Sequence, residues 1–170
     1  MTPRLLEKTL QKYLFKGKIL IVYGARQVGK TTLIKQIQSR YDSENGYYNC
    51  ELLSVKRQLE SMNPQETKAF LGDHEVIVLD KAQKILNIGL VLKQLIDTFP
   101  DMQIIATGSS SFDLANKINE PLTGRALEFK LYPLSMEEIL ESSNKSDVME
   151  KLERILNYGL YPEVFLSDDL

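Results

Sequence analysis

Residues 24–32 read Gly-Ala-Arg-Gln-Val-Gly-Lys-Thr-Thr and match the pattern G-x-x-x-x-G-K-[ST] at every fixed position. No other stretch of the chain narrows the fold as far. A loop of this kind needs a strand that delivers it and a helix that starts from it. Lys18-Ile-Leu-Ile-Val-Tyr23 precedes it, a short apolar run with the composition of a strand buried on both faces. Leu33, Ile34, Ile37 and Tyr41 follow at helical spacing.

Each residue of the stretch has a physical reason. Phosphate oxygens need many donors at close range, and glycines let successive backbone N–H groups turn inward. The loop then hands the phosphates to a helix N-terminus, where unpaired N–H groups and the dipole favour anions. The whole run Gly24, Ala25, Arg26, Gln27, Val28, Gly29, Lys30, Thr31, Thr32 is therefore the expected cradle. Lys30 adds a mobile positive charge for the outer phosphates. Thr31 offers a hydroxyl to Mg²⁺, which keeps several waters and takes few protein ligands. Arg26 either contacts phosphate or a partner, or faces solvent.

Strands alternate with helices along the rest of the chain, which predicts an α/β fold with about five strands, mostly parallel and covered on both faces. Thr2 and Pro3 predict a helix over residues 3–14, with Leu6, Leu10, Tyr13 and Leu14 on one stripe. Ser43-Glu-Asn-Gly46 reads as a turn, and Tyr47-Tyr-Asn-Cys50 as a second strand. Asn63, Pro64, Glu66 and Gly72 bound a short helix. Glu75-Val-Ile-Val-Leu-Asp80 is a buried strand ending in a carboxylate at the sheet edge where open α/β folds bind ligands. A helix follows with Ile88, Val91, Leu92, Leu95, Ile96 and Phe99 on one face, stopped by Pro100. Met102-Gln-Ile-Ile-Ala-Thr107 is the next strand and runs into Gly108-Ser-Ser-Ser111. Residues 113–126 read as a short helix and a loop carrying Arg125, and Leu127 to Tyr132 as the last strand. Ser135 to Glu138 forms a capping box with Leu134 and Ile139 as a staple. One final helix is expected from Asp147 to Tyr158, ended by Gly159 and followed by a tail from Tyr161.

Composition limits the alternatives. With 170 residues, 43% hydrophobic and 26% charged, one globular domain over residues 1–170 is expected. The net charge of −2 comes without a block of like charges, so nucleic acid is not indicated. The single cysteine, Cys50, forms no internal disulfide and points to a reducing, cytoplasmic setting. No apolar run reaches membrane-spanning length, so no membrane partner is expected. His74 has no Cys or His cluster around it, Asn116-Lys-Ile-Asn119 lacks the final Asp of a guanine motif, and Ser109 to Ser111 has no nearby His for hydrolase chemistry. The Tyr47-Tyr48 pair reads as strand packing rather than base stacking.

Five blocks in order carry a resemblance. Gly24 to Thr32, Leu79-Asp-Lys-Ala-Gln83, Ala106-Thr-Gly-Ser-Ser-Ser111, Leu122-Thr-Gly-Arg125 and Leu131-Tyr-Pro-Leu-Ser135 resemble the AAA-type ATPase domain of a prokaryotic P-loop family that also carries a poorly characterised C-terminal domain. The resemblance implies an AAA/ASCE-like sheet in which the strand ending at Thr107 lies between those ending at Tyr23 and Asp80. It implies that the chain is the N-terminal part of a longer protein, and that ATP and Mg²⁺ are its ligands. Lys30 and Thr31 then serve phosphate and metal, and Asp80 serves the metal through water. Ser109 is the polar sensor, with Thr107 as rival. Arg125 approaches the γ-phosphate of a neighbouring subunit or domain, or is a surface loop arginine.

One position departs from that family. It carries Glu directly after the Asp, where the carboxylate activates the attacking water; this chain has Lys81. A charged lysine has three donors and no acceptor. Slow hydrolysis is therefore expected, or a nucleotide switch that hydrolyses almost nothing. Glu51 and Gln83 are the nearest substitutes. A phosphoryl-transfer kinase is disfavoured, because residues 113–126 hold only one arginine, Arg125.

Overall fold

The computed structural model describes residues 2–41, 46–109 and 121–166. The expected turn at residues 43–45, serines 110 and 111, and the 113–120 segment with Asn116 and Asn119 lie outside them.

Five strands form one sheet: β1 (Ile19–Tyr23), β2 (Tyr47–Asn49), β3 (Val76–Asp80), β4 (Gln103–Gly108) and β5 (Ala126–Lys130). Their order is β2-β3-β4-β1-β5, and every pairing is parallel. The strand ending near Thr107 thus lies between those ending at Tyr23 and Asp80, as the resemblance implies. The near-continuous apolar runs of β1, β3 and β4 follow from burial on both faces. Side chains alternate across a strand, so each run feeds two cores. Ile19, Ile21, Ile77, Leu79, Ile104 and Ala106 pack on one face with helices α3 (Leu53–Leu59), α4 (Pro64–Leu71) and α5 (Ile88–Thr98). Leu20, Val22, Val76, Val78 and Ile105 pack on the other with α1 (Leu5–Tyr13) and α2 (Lys30–Gln38).

The helix signals hold where they are local. The Asn63 side chain accepts from the N–H groups of Gln65 and Glu66, and Gly72 ends α4. The Ser135 capping box is complete at α6 (Met136–Ser142). Leu134 and Ile139 are buried together with Val148 and Phe165 in a small separate core.

Three expectations are corrected. The first helix is not capped by Thr2: Arg4 occupies the N-cap position without a side-chain cap of its own, and the Leu5 N–H donates to Glu138 Oε1 at 2.8 Å. A carboxylate far away in sequence replaces the local cap. The last helix is two, α7 (Lys145–Glu150) and α8 (Leu152–Tyr158), interrupted at Lys151 with φ −89° and ψ 3°. Lys151 Nζ there donates to the Phe165 carbonyl at 3.0 Å. The expected tail contains a further helix, α9 (Pro162–Leu166), because buried Phe165 anchors it to the small core.

Candidate functional site

β1 ends at Tyr23, and the chain turns at once into the glycine loop. Gly24 is required here by packing. A Cβ at this position would fall inside the contact shell of the Leu131 carbonyl. Leu131 cannot retreat freely, since its N–H donates to the Tyr23 carbonyl at 2.8 Å. Gly24→Ala is expected to destabilise the fold by about 1–3 kcal/mol, the range of overpacked cores, measurable as a lowered denaturation midpoint. Gly29, at the N-cap of α2, has φ +90°, a conformation that disfavours any side chain.

The nine loop residues divide into two roles. Arg26, Gln27, Gly29, Lys30, Thr31 and Thr32 line a cavity of about 730 Å³ above the C-terminal edge of the sheet. Val28 is fully buried beneath the loop, Gly24 packs on Leu131, and the Ala25 carbonyl serves Lys30. Lys30 Nζ donates to the carbonyls of Gly24 at 2.9 Å and Ala25 at 2.6 Å. Burial pushes its pKa down, opposed by the Asp80 carboxylate.

Asp80 ends β3 with only 2% of its surface exposed. Three hydroxyls converge on its carboxylate. Thr31 Oγ1 lies 3.1 and 3.3 Å from the two oxygens. Tyr47 donates to Oδ2 at 2.6 Å, and Thr107 donates to Oδ1. Burial first, and then the hydrogen bond to Asp80, push the Tyr47 phenol well above its ordinary pKa. The structure thus gives Thr107 a definite place, between the carboxylate and the Lys81 N–H, which donates to its Oγ1 at 3.0 Å. Ser109 stands one step farther along, on the cavity wall, accepting from Gln83 Nε2 at 3.1 Å.

Tyr47 is a residue that sequence reading missed as part of the site. Its Cα pairs with that of Val78, and residues two apart on a strand share a face, so its ring points along the same face as Asp80. The pairing joins residues 33 apart in the chain and has no local signature. It becomes legible only once β2 and β3 are known to be neighbours.

Lys81 adopts the left-handed conformation, φ +58°, directly after β3. Its ammonium pairs with Glu51 Oε2 at 2.5 Å, and both residues line the cavity. The Lys81 hydrogen bond holds the Glu51 carboxyl below the usual carboxylate range. Arg125 is not brought to its own loop. It immediately precedes β5 beside the start of β1, because Ile19 pairs with Ala126, and it forms an ion pair with Asp97 at 2.6 Å. A five-residue strand separates that edge from the loop by about 16 Å. Cys50 is buried, and burial pushes its thiol up to about 12, so it is not a nucleophile.

The donor set suits Mg²⁺. Asp80 and Thr31 are hard oxygen donors placed side by side at the cavity floor, and this ion takes few protein oxygens together with water and phosphate. Among the described residues no group of three or more His, Cys, Asp or Glu side chains could hold a metal alone. Held here, the ion would need phosphate and water oxygens to complete its shell.

A family model described as an AAA domain matches residues 16–140. The chain belongs to this AAA-domain family. The match takes in the loop, Asp80, β4 and the capping box of α6. The AAA domain is 26% identical over 182 residues to an uncharacterised protein of Methanocaldococcus jannaschii, covering 98% of this chain and 40% of that one. It spans 29% to 41% of the length of the curated relatives it matches. Among solved structures it shares its fold with the Walker-type ATPase of Pyrococcus abyssi, at TM-score 0.65 and 17% identity, covering 98% of this chain and 66% of that one. It also resembles AMPPCP-bound DnaA from Aquifex aeolicus, at TM-score 0.56 and 14% identity over 96% of this chain and 58% of that one. It is thus an AAA-type P-loop ATPase domain in family and fold, a class that supports nucleotide binding. No helix among the described residues is long and apolar enough to cross a membrane.

Proposed function

We propose that this AAA domain binds Mg-ATP in the loop cavity and hydrolyses it slowly, as a cytoplasmic module that drives movement in an attached domain or a neighbouring copy. The observation that carries the reading is the meeting of the Thr31 hydroxyl and the Asp80 carboxylate, 3.1 Å apart, at the foot of the Lys30 loop. The AMPPCP ligand of the DnaA structure supports a nucleoside triphosphate as the class of ligand.

Gly29 to Thr32 present backbone N–H groups at the start of α2, where an anion is favoured. Lys30 uses two donors on the loop carbonyls and has a third for the outer phosphates. Thr31 donates its hydroxyl hydrogen to Asp80, which leaves the oxygen lone pairs for the metal. Asp80, held by Tyr47 and Thr107, contributes through water. When bound, Mg²⁺ neutralises charge on the phosphate oxygens. Gln83 and Ser109, hydrogen-bonded to each other, orient the attacking water without taking its proton. Arg125, paired with Asp97 at the opposite sheet edge, does not reach the phosphates of its own chain, so any part it takes in hydrolysis is toward a neighbouring copy; otherwise it is a surface loop arginine.

A second reading has its own observation. The Lys81–Glu51 pair occupies the position from which a carboxylate would act, so the domain works as a switch set by binding and release of nucleotide. Calorimetric titration with ATP, with and without Mg²⁺, tests the common part of both readings. Wild-type affinity should rise at least tenfold with Mg²⁺, and Asp80→Asn should lose that increment while keeping metal-free binding. Equal affinity with and without the ion would overturn the metal assignment.

A further inference from the structure

Arg4 is buried at 8% exposure, and nothing in the phosphate chemistry accounts for it. Its three nitrogens go to three separate parts of the chain. Nη1 donates to the Val28 carbonyl at 2.7 Å, inside the phosphate loop. Nη2 donates to the Tyr132 carbonyl at 2.6 Å, in the connection after β5. Nε pairs with Glu138 Oε1 at 3.1 Å. Glu138 in turn closes the capping box of α6 through Ser135 and accepts the first N–H of α1 from Leu5. All three contacts on Arg4 are charge-assisted, the stronger class of hydrogen bond.

The contact with Val28 bears on the site. A trans peptide is planar, and its C=O and N–H point in opposite directions. Arg4 is absent from the cavity lining, whereas Gly29 lines it. Pulling the Val28 oxygen back toward Arg4 therefore turns the N–H of Gly29 the other way, toward the cavity. Gly29 can follow because its φ of +90° suits glycine. A Cβ on Gly29 would stand in ordinary van der Waals contact with Arg4 Nη1, at 3.4 Å, so the two residues are direct neighbours.

We propose that Arg4 is a positioning residue for the phosphate loop: it locks the Val28–Gly29 peptide with its N–H facing the nucleotide, and Glu138 of α6 holds Arg4 in place. The inference rests on the nucleotide reading for its functional consequence. It adds that loop geometry and the docking of α6 are one linked arrangement. A residue that touches no nucleotide, Glu138, then contributes to nucleotide affinity.

Two variants separate positioning from folding. Arg4→Ala removes the guanidinium. Arg4→Lys keeps a positive charge beside Glu138, but a point ammonium cannot reproduce the planar fork that reaches three acceptors. The probes are Mg-ATP affinity by calorimetry and the Gly29 amide resonance of the nucleotide-free protein, both read well below each variant's melting temperature. Affinity should fall at least tenfold in Arg4→Lys, with Arg4→Ala at least as weak, and the Gly29 amide should shift in both. Wild-type affinity within twofold together with an unmoved Gly29 amide would overturn the proposal. If wild-type protein itself fails to bind Mg-ATP, the nucleotide reading falls, and the Gly29 amide alone decides: shifted in the variants it supports the lock, unmoved it overturns it. Should both Arg4 variants fail to fold, Glu138→Gln carries the test, with a threefold or larger loss of affinity in support and wild-type affinity against.

Discussion

Replacing Lys81 by glutamate is expected to raise the single-turnover rate of ATP hydrolysis by about 10²-fold or more, the usual worth of a positioned general base. The backbone prepares the position for such a change. The Lys81 N–H is held by the Thr107 hydroxyl at 3.0 Å, so a glutamate there would start from the same anchored point beside Asp80. What the native side chain lacks is an acceptor for the proton of the attacking water. It spends its charge instead on Glu51, at 2.5 Å, with both side chains 43% exposed. Two carboxylates at this spot would repel, so the gain should be larger in Lys81→Glu combined with Glu51→Gln than in Lys81→Glu alone. Equal single-turnover rates for wild type and Lys81→Glu would remove the explanation for slow hydrolysis. Glu51→Gln alone tells whether Glu51 is already acting as the base: a drop in residual turnover assigns it that role, and an unchanged rate excludes it. Because Lys81 holds the Glu51 carboxyl below the usual range, Glu51 is ionised at neutral pH. Its pairing is lost only as the pH falls through that lowered value.

The second large effect concerns binding. Lys30→Ala should weaken ATP affinity by about 10²-fold or more, corresponding to the roughly 2–5 kcal/mol lost when one partner of a buried, hydrogen-bonded charge pair is truncated. The ammonium is already drawn over the loop by the carbonyls of Gly24 and Ala25, so little ordering remains to be done when phosphate arrives. In the free protein the same group is unfavourably placed, because burial depresses its pKa below 10.5. The sign of the linkage follows. The unfolded chain binds this proton more tightly, so the Lys30 contribution to stability improves as pH rises from the lowered folded value toward the ordinary one. Lys30→Met should therefore abolish tight binding while leaving the melting temperature at neutral pH equal or higher. A large fall in melting temperature would show that the lysine is structural.

The fold was largely legible because its signals are local. The apolar runs of β1, β3 and β4 read as strands buried on both faces, and the caps at Asn63 and Ser135 satisfy their own helix starts. Where a helix end depends on something distant, local reading failed. The start of α1 waits on Glu138, and the break between α7 and α8 lies at Lys151, which bonds to Phe165. The helix α9 was read as a tail because five residues carry too little periodicity to announce themselves.

The site divides along the same line. Gly24 to Thr32 and Asp80 are visible in the sequence because phosphate and metal chemistry demands particular residue types at particular spacings, and the departure at Lys81 is visible for the same reason. Tyr47 and Arg4 are not, since any tyrosine or arginine looks alike until the chain is folded. Arg4 and Glu138 stand 134 residues apart, and only the parallel sheet brings the end of β5 next to the loop. The same sheet carries Arg125 to the opposite edge. Spacing along a chain encodes which hydrogen bonds a segment makes with itself. The bonds it makes with the rest of the molecule are set by strand order, and strand order decided here which side chains stand behind the phosphate loop.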